Sequence, residues 1–196
     1  MKGKFTPANA ETASRTTCRD FSNVHVRIAG TRKIDNIATM SNAFPQRLRS
    51  SSHSAASYAI VASKFNEVFV QSLVDNAHRE LNALEPAANI VLIWTPGAFE
   101  IPLFVQAAAE LKRFQAIIAL GVILEGETLH AHLIAEAVSR ALLEISLKYK
   151  LPVLHGVLLL KDEAQAKARC MGTEHNRGVE LARAAVSAAR KLPEIV

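Results

Sequence analysis

Ala116-Ile117-Ile118-Ala119-Leu120-Gly121-Val122-Ile123-Leu124-Glu125-Gly126-Glu127-Thr128-Leu129-His130 is the stretch from which the fold can be read. Ala116 to Leu124 is apolar without alternation, the pattern of a strand covered on both faces. Gly126-Glu127-Thr128 ends it, and a long helical pattern begins with His130 in its first turn. At such a strand-to-helix junction free backbone N–H groups and the helix dipole point outward, which suits an anion. An imidazole two residues on can move protons beside it. The junction therefore suggests a phosphorylated substrate and acid–base chemistry.

Working outward, the same alternation recurs. Tyr58 to Ala62 reads as a strand, and Asn66 to Leu84 as a helix with Val70, Leu73, Ala77, Leu81 and Leu84 on one face. Asn89 to Trp94 is the next strand. Pro96-Gly97 breaks it, and a helix follows from Glu100 to Lys112, with Pro102 tolerated in its first turn. Gln115 to Leu124 is the third strand, and its helix runs to Lys150. Pro152 to Leu160 is the fourth strand, and helical text covers Asp162 to Cys170 and Glu174 to Lys191. Strands alternating with helices predict an α/β fold of three αβα layers, a four-stranded parallel sheet with helices on both faces. In such sheets ligands bind beyond the carboxyl ends of the strands. Here those ends are Ser63 to Asn66, Thr95 to Glu100, Leu124 to His130 and Leu160 to Asp162.

The first 57 residues are different. They are rich in Ser, Thr, Ala and Arg, show no sustained periodicity, and hold nine Lys/Arg against three Asp/Glu, a balance of +6. The remaining residues hold fourteen against fifteen, a balance of −1, so the overall +5 belongs to this leader. Residues 58–196 then give no reason to expect a nucleic-acid surface. The leader reads as disordered. Its acid-poor, Arg/Ser-rich character permits an organellar transit peptide; a translation start at Met40 is the first choice, and a genuine disordered arm is the third reading. The expected compartment is the cytoplasm, or an organelle if the leader is a transit peptide. No apolar run approaches the ~20 residues of a membrane span. Cys18 and Cys170 have no metal-ligand or redox spacing, and both read as free thiols.

The strand ends carry the chemistry-bearing side chains. Phe65 is either a core plug or a platform for stacking a planar heterocycle, and Asn66 reads first as an N-cap. In Thr95-Pro96-Gly97-Ala98-Phe99-Glu100-Ile101-Pro102, Gly97 permits close backbone approach and Glu100 sits where a helix dipole favours it. The Gly126-Glu127-Thr128 turn lacks the Gly-Lys-Ser/Thr of a P-loop, which argues against triphosphate binding. Arg169 is the natural counter-charge for a phosphate, because a guanidinium matches its oxygens bidentately. His130 and His132 resemble a metal pair, but two residues apart on a helix they face opposite ways, so no metal is expected. His155 lies within a strand, where a satisfied core histidine is the ordinary case, and Cys170 has no activating base.

Taken together, Phe65-Asn66, Pro96 to Pro102, Gly126-Glu-Thr-Leu-His130, Pro152-Val-Leu-His-Gly156, Arg169 and Asn176-Arg-Gly178 resemble the 6,7-dimethyl-8-ribityllumazine synthase family of riboflavin biosynthesis. The likeness runs in order from Tyr58 to Leu192. It implies a flavodoxin-like sheet and a cofactor-free condensation of 5-amino-6-(D-ribitylamino)uracil with 3,4-dihydroxy-2-butanone 4-phosphate, releasing phosphate and water. By this resemblance Phe65, Ala98, Phe99, Glu100, Val122, Ile123, Leu124 and His155 contact the ribitylaminouracil. Glu127, Thr128 and Arg169 hold the phosphate, His130 transfers protons, and Asn66, Arg177 and Glu180 support the site. It also implies a homopentamer with sites between subunits, a larger shell of twelve pentamers in some members, and association with riboflavin synthase. The chain departs from the family's pattern at four positions. His155 stands for an aromatic Phe, Arg177 for Lys, Glu125 for a basic residue and Ala131 for an aromatic one. The first two also motivate an alternative, a flavin- or lumazine-binding assembly protein without turnover.

Overall fold

The computed structural model describes residues 56–195. The expected leader, with Met40 and Cys18, lies outside the described residues except for its last two positions. Four strands, β1 (Ser57–Ser63), β2 (Asn89–Thr95), β3 (Ala116–Leu124) and β4 (Val153–Leu160), form one parallel sheet in the order β2-β1-β3-β4. Helices α1 (Glu67–Leu84), α2 (Ile101–Glu110), α3 (His130–Tyr149), α4 (Glu163–Ala166) and α5 (Arg177–Lys191) connect and follow them. This is the four-stranded αβα arrangement read from the alternation. The chain leaves β1 towards β2 on one side and returns to β3 on the other. The crevice that a doubly wound sheet offers to ligands therefore lies at the carboxyl ends of β1 and β3.

Alternation along each strand divides the core between two faces. Tyr58, Ile60, Ala62, Ile118 and Leu120 pack with Val70, Leu73, Ala77 and Leu81 of α1 and Leu181, Ala182 and Ala185 of α5. Ala59, Val61, Ile117, Ala119 and Val157 pack with Ile101 and Val105 of α2 and Val138, Leu142 and Ile145 of α3. The five α1 residues predicted to share a face are all buried. At roughly 1.5–3 kcal/mol for each large aliphatic side chain buried, that stripe explains why α1 holds its place. Gly156 lets α5 approach β4, since a Cβ there would lie 2.4 Å from Leu181 Cδ1 and 2.8 Å from the Ala119 carbonyl oxygen. Two ion pairs also tie α1 and the residue that ends it to α5, Glu80–Arg183 and Glu85–Arg190, each at 2.8 Å. Burial, with Glu85 nearby, pushes the Tyr58 phenol up to about 12.

The boundaries shift for identifiable reasons. β1 begins at Ser57, inside the expected leader, because the Ser57 and Ala56 carbonyls accept the N–H groups of Gln115 and Asn89, each at 2.8 Å. The second helix stops at Glu110 rather than Lys112, since Lys112 turns left-handed (φ 52°). The last long helix begins at Arg177, not Glu174. Asn176 caps it by accepting the N–H groups of Gly178 (3.0 Å) and Val179 (3.3 Å). The helix expected from Asp162 to Cys170 is one α-turn that passes into a five-residue π-helical turn, Lys167–Met171. Among the described residues no helix is long and apolar enough to cross a membrane.

Candidate active site

Three strand-to-helix junctions meet at the predicted crevice and enclose a cleft of about 390 Å3. Phe65 and Asn66 come from the end of β1, and Gly97 to Glu100 from the turn after β2. Val122, Ile123 and Leu124 form the wall from β3, and Gly126, Thr128, His130, Ala131 and Ile134 close it from the junction with α3. Glu100 and His130 are the only ionisable side chains lining it among the described residues, so the pocket is apolar with two titratable groups at its edge. That is the ordinary construction of a small-molecule site.

Each junction is held by its own local chemistry. Asn66 holds the N-cap position expected of it, but its side chain makes no capping hydrogen bond. Its backbone is left-handed (φ 58°), which Asn tolerates better than most residues. Its side-chain amide donates to the Val122 carbonyl at 2.8 Å instead. The β1 junction is thereby tied to the β3 wall, and the Phe65 ring projects at the mouth, 69% exposed. Phe65 is therefore no core plug. Phe99, 61% exposed, is a second free aromatic ring on the rim. Thr95, fully buried, donates its hydroxyl to the Gly97 carbonyl at 2.9 Å and so fixes the Pro96-Gly97 turn. The Glu100 carboxylate folds back over that turn. A Cβ on Gly97 would lie 2.9 Å from Glu100 Oε2, so the glycine makes room for the carboxylate. In the third junction the His130 N–H approaches Thr128 Oγ1 at 3.4 Å. His130 and His132 leave α3 on different sides; His130 lines the pocket, and His132 faces Glu125 Oε1 at 3.8 Å.

The remaining predicted residues stand apart from this cleft. Glu127 is exposed beside it without lining it. His155 lies on the edge strand β4 against α3, its Nε2 2.8 Å from the Ser139 hydroxyl, half-buried rather than a core residue. Burial holds this imidazole below its ordinary pKa, and the Arg177 charge adds to the effect. Arg177 pairs with Glu180 at 2.7 Å on the first turn of α5. Arg169 projects from the π-turn. Of the seven arginines among the described residues it alone has no hydrogen bond, ion pair or aromatic ring as partner. Cys170 beside it is buried, and burial pushes its thiol up to about 11, in keeping with an inert residue.

Sequence reasoning placed Gly126 in the anion-binding turn but assigned no role to the Thr95 hydroxyl or to Ile134. Ile134 follows His130 by four residues on α3 and so shares its face, a spacing the sequence displays. The Thr95 hydroxyl was visible as a threonine preceding Pro-Gly, a common turn-bracing position.

A doubly wound α/β chain with a cleft at its topological switch point, two exposed aromatics on the rim and one imidazole at a helix start has the construction of an enzyme acting on a small molecule. The chain belongs to the 6,7-dimethyl-8-ribityllumazine synthase family, whose model matches residues 55–193. It is thus a transferase of riboflavin biosynthesis. Relatives named 6,7-dimethyl-8-ribityllumazine synthase include that of Coxiella burnetii (strain Dugway 5J108-111), 38% identical over 138 residues, covering 70% of this chain and 91% of the relative. That of Nitrosomonas europaea is 40% identical over 131 residues, 66% of this chain and 77% of the relative. That of Leuconostoc mesenteroides is 36% identical over 126 residues, 63% and 80% respectively.

Proposed function

We propose that the cleft joins 5-amino-6-(D-ribitylamino)uracil to 3,4-dihydroxy-2-butanone 4-phosphate, releasing phosphate and water and forming 6,7-dimethyl-8-ribityllumazine. The observation that carries this reading is the convergence of Phe65, Phe99, Glu100, Thr128 and His130 from three separate strand ends on one apolar cleft. Phe65 stacks on the pyrimidine, the Ala98-Phe99-Glu100 segment and the Val122 to Leu124 wall seat the ring and ribityl chain, and Glu100 accepts ribityl hydroxyl hydrogen bonds. The phosphate lies against Thr128 and the turn that carries Glu127, at the start of α3, where backbone N–H groups favour an anion.

The substrate amine attacks the ketone, a Schiff base forms with loss of one water, phosphate leaves by elimination to give an enol that tautomerises to a carbonyl, and the second amine closes the ring on that carbonyl with loss of a second water. Each step moves a proton, and His130 is the imidazole within the cleft that does so. The rest is positioning of two reactants, which lowers a barrier by several kcal/mol or more. No cofactor enters this chemistry.

His155, Arg169, Arg177 and Glu180 lie outside the chain's own cleft, which favours a site shared between copies. A neighbouring chain in a pentamer would bring His155 to the pyrimidine and Arg169 to the phosphate, with Arg177 and Glu180 supporting them. The turn from Met171 to Asn176 is where a pentamer and a larger shell would differ, and association with riboflavin synthase would follow from such an assembly. The synthase domain, expected over 58–196, takes in the first strand from Ser57 and acts in the cytoplasm, with the residues before it as its leader. Kinetics on the purified full chain test the assignment of roles. His130→Ala is expected to lower kcat by about 100-fold or more, Phe65→Ala to raise KM for the pyrimidine, and Arg169→Ala to raise KM for the phosphorylated ketone. Tight binding of a ribityl ligand with no phosphate release from the wild-type protein would overturn the proposal. Light scattering gives the copy number.

A further inference from the structure

The Cys170 carbonyl receives two side-chain hydrogen bonds, one from Asn176 six residues on and one from α1, 98 residues back, and it lies next to Arg169, which has no partner among the described residues. Asn176 Nδ2 donates to it at 2.6 Å, and Ser72 Oγ of α1 donates at 3.0 Å. Asn176 is 1% exposed, and its other end, Oδ1, accepts from Gly178 and Val179 at the start of α5. The same corner is locked from behind, since a Cβ at Gly178 would lie 2.4 Å from the Leu73 carbonyl oxygen. Widened helical turns of this kind leave backbone groups free of regular helical partners, so a turn of defined shape needs outside anchors. Here both anchors converge on the one carbonyl that follows Arg169. Arg169 is half-buried and has no carboxylate partner among the described residues, so the backbone of the turn is what sets its direction.

We propose that Asn176, assisted by Ser72, is a positioning residue for the phosphate-binding arginine. By fixing the Cys170 carbonyl it sets the direction in which the π-turn projects Arg169. This rests on the reading above that Arg169 holds the substrate phosphate. Asn176 does not touch substrate; it acts through the turn.

Asn176→Asp separates this role from helix capping. It keeps the acceptor that caps α5 but replaces the donor that anchors Cys170 with an oxygen facing a carbonyl oxygen. Ser72→Ala removes the second anchor without touching the cap. Steady-state kinetics on the assembled full-length enzyme, with inorganic phosphate as a competing probe, read the outcome. Asn176→Asp is expected to raise KM for the phosphorylated ketone and the inhibition constant of phosphate about tenfold, as expected for losing an oriented charge-assisted contact. Ser72→Ala should raise both about two- to threefold, as expected for a weaker neutral hydrogen bond. KM for the pyrimidine should stay within about twofold, because its rigid platform lies on another element. Combined with Arg169→Ala, Asn176→Asp should add nothing further. Equal effects on both substrates, or unchanged phosphate constants in a folded Asn176→Asp protein, would overturn the positioning role while leaving Arg169 in the site. Unchanged phosphate constants in Arg169→Ala would overturn it together with the assigned role of Arg169.

Discussion

Replacing Asn66 tests whether the left-handed junction after β1 is held by one side-chain hydrogen bond. Two separable terms are at stake. The amide bond to the Val122 carbonyl at 2.8 Å is worth about 1 kcal/mol net. A residue other than Gly, Asn or Asp at φ 58° adds roughly 1–2 kcal/mol. Asn66→Ala loses both and should destabilise the fold by about 2–3 kcal/mol. Asn66→Gly loses the bond but not the conformational tolerance, so it should cost about 1–2 kcal/mol, part of it chain entropy. Because Phe65 precedes this residue, the same variants should raise KM for the pyrimidine with little change in KM for the phosphorylated ketone. Denaturant unfolding at one fixed protomer concentration measures the stabilities, since assembly makes them concentration-dependent. The reasoning is refuted if the Ala and Gly variants unfold at the same midpoint, or if the Ala variant matches the wild type.

Three further outcomes follow from the geometry. Gly156→Ala places a methyl 2.8 Å from the Ala119 carbonyl oxygen and 2.4 Å from Leu181, and should lower stability by about 1–3 kcal/mol; an unchanged melting temperature would count against the β4–α5 packing described. His155 titrates lower folded than unfolded, so its contribution is intact above its ordinary pKa of 6.5. As pH falls below that value the unfolded chain takes up the proton first, and stability is lost through the lowered folded value. Wild type and His155→Gln should therefore diverge in melting temperature on acidification, and parallel curves would contradict the burial of this ring. In a Cys18→Ser background, Cys170 should resist an aromatic disulfide reagent at pH 8 until the protein is unfolded, when one thiol per chain reacts; rapid labelling of folded protein would show that the π-turn opens.

The sheet and its order of elements were legible because β3 is apolar throughout and each strand is punctuated by turn residues. Those signals depend on near neighbours. The pocket was legible for a related reason, since strand ends in a parallel sheet converge wherever the chain order reverses, and Phe65, Glu100 and His130 each sit at one. What the sequence did not disclose depends on distant contacts. Asn66 reads as a cap, yet Val122, 56 residues away, claims its side chain. The helix containing Arg169 reads as regular, yet Ser72, 98 residues from Cys170, and buried Asn176 hold it in a wider turn. The separation of His155 and Arg169 from the cleft was implied only by family resemblance, because one-dimensional spacing does not say which copy of a chain fills a pocket.

The most direct measurement is product formation by the purified chain supplied with both substrates, followed through the fluorescence of the lumazine and the release of phosphate. We expect the wild-type protein to form both products in equal amounts with no added metal or cofactor, and His130→Ala to do so at about one-hundredth of the rate or less. Phosphate release without lumazine, no product at all, or a His130→Ala enzyme as fast as the wild type would contradict the assignment of this cleft and its imidazole to the condensation.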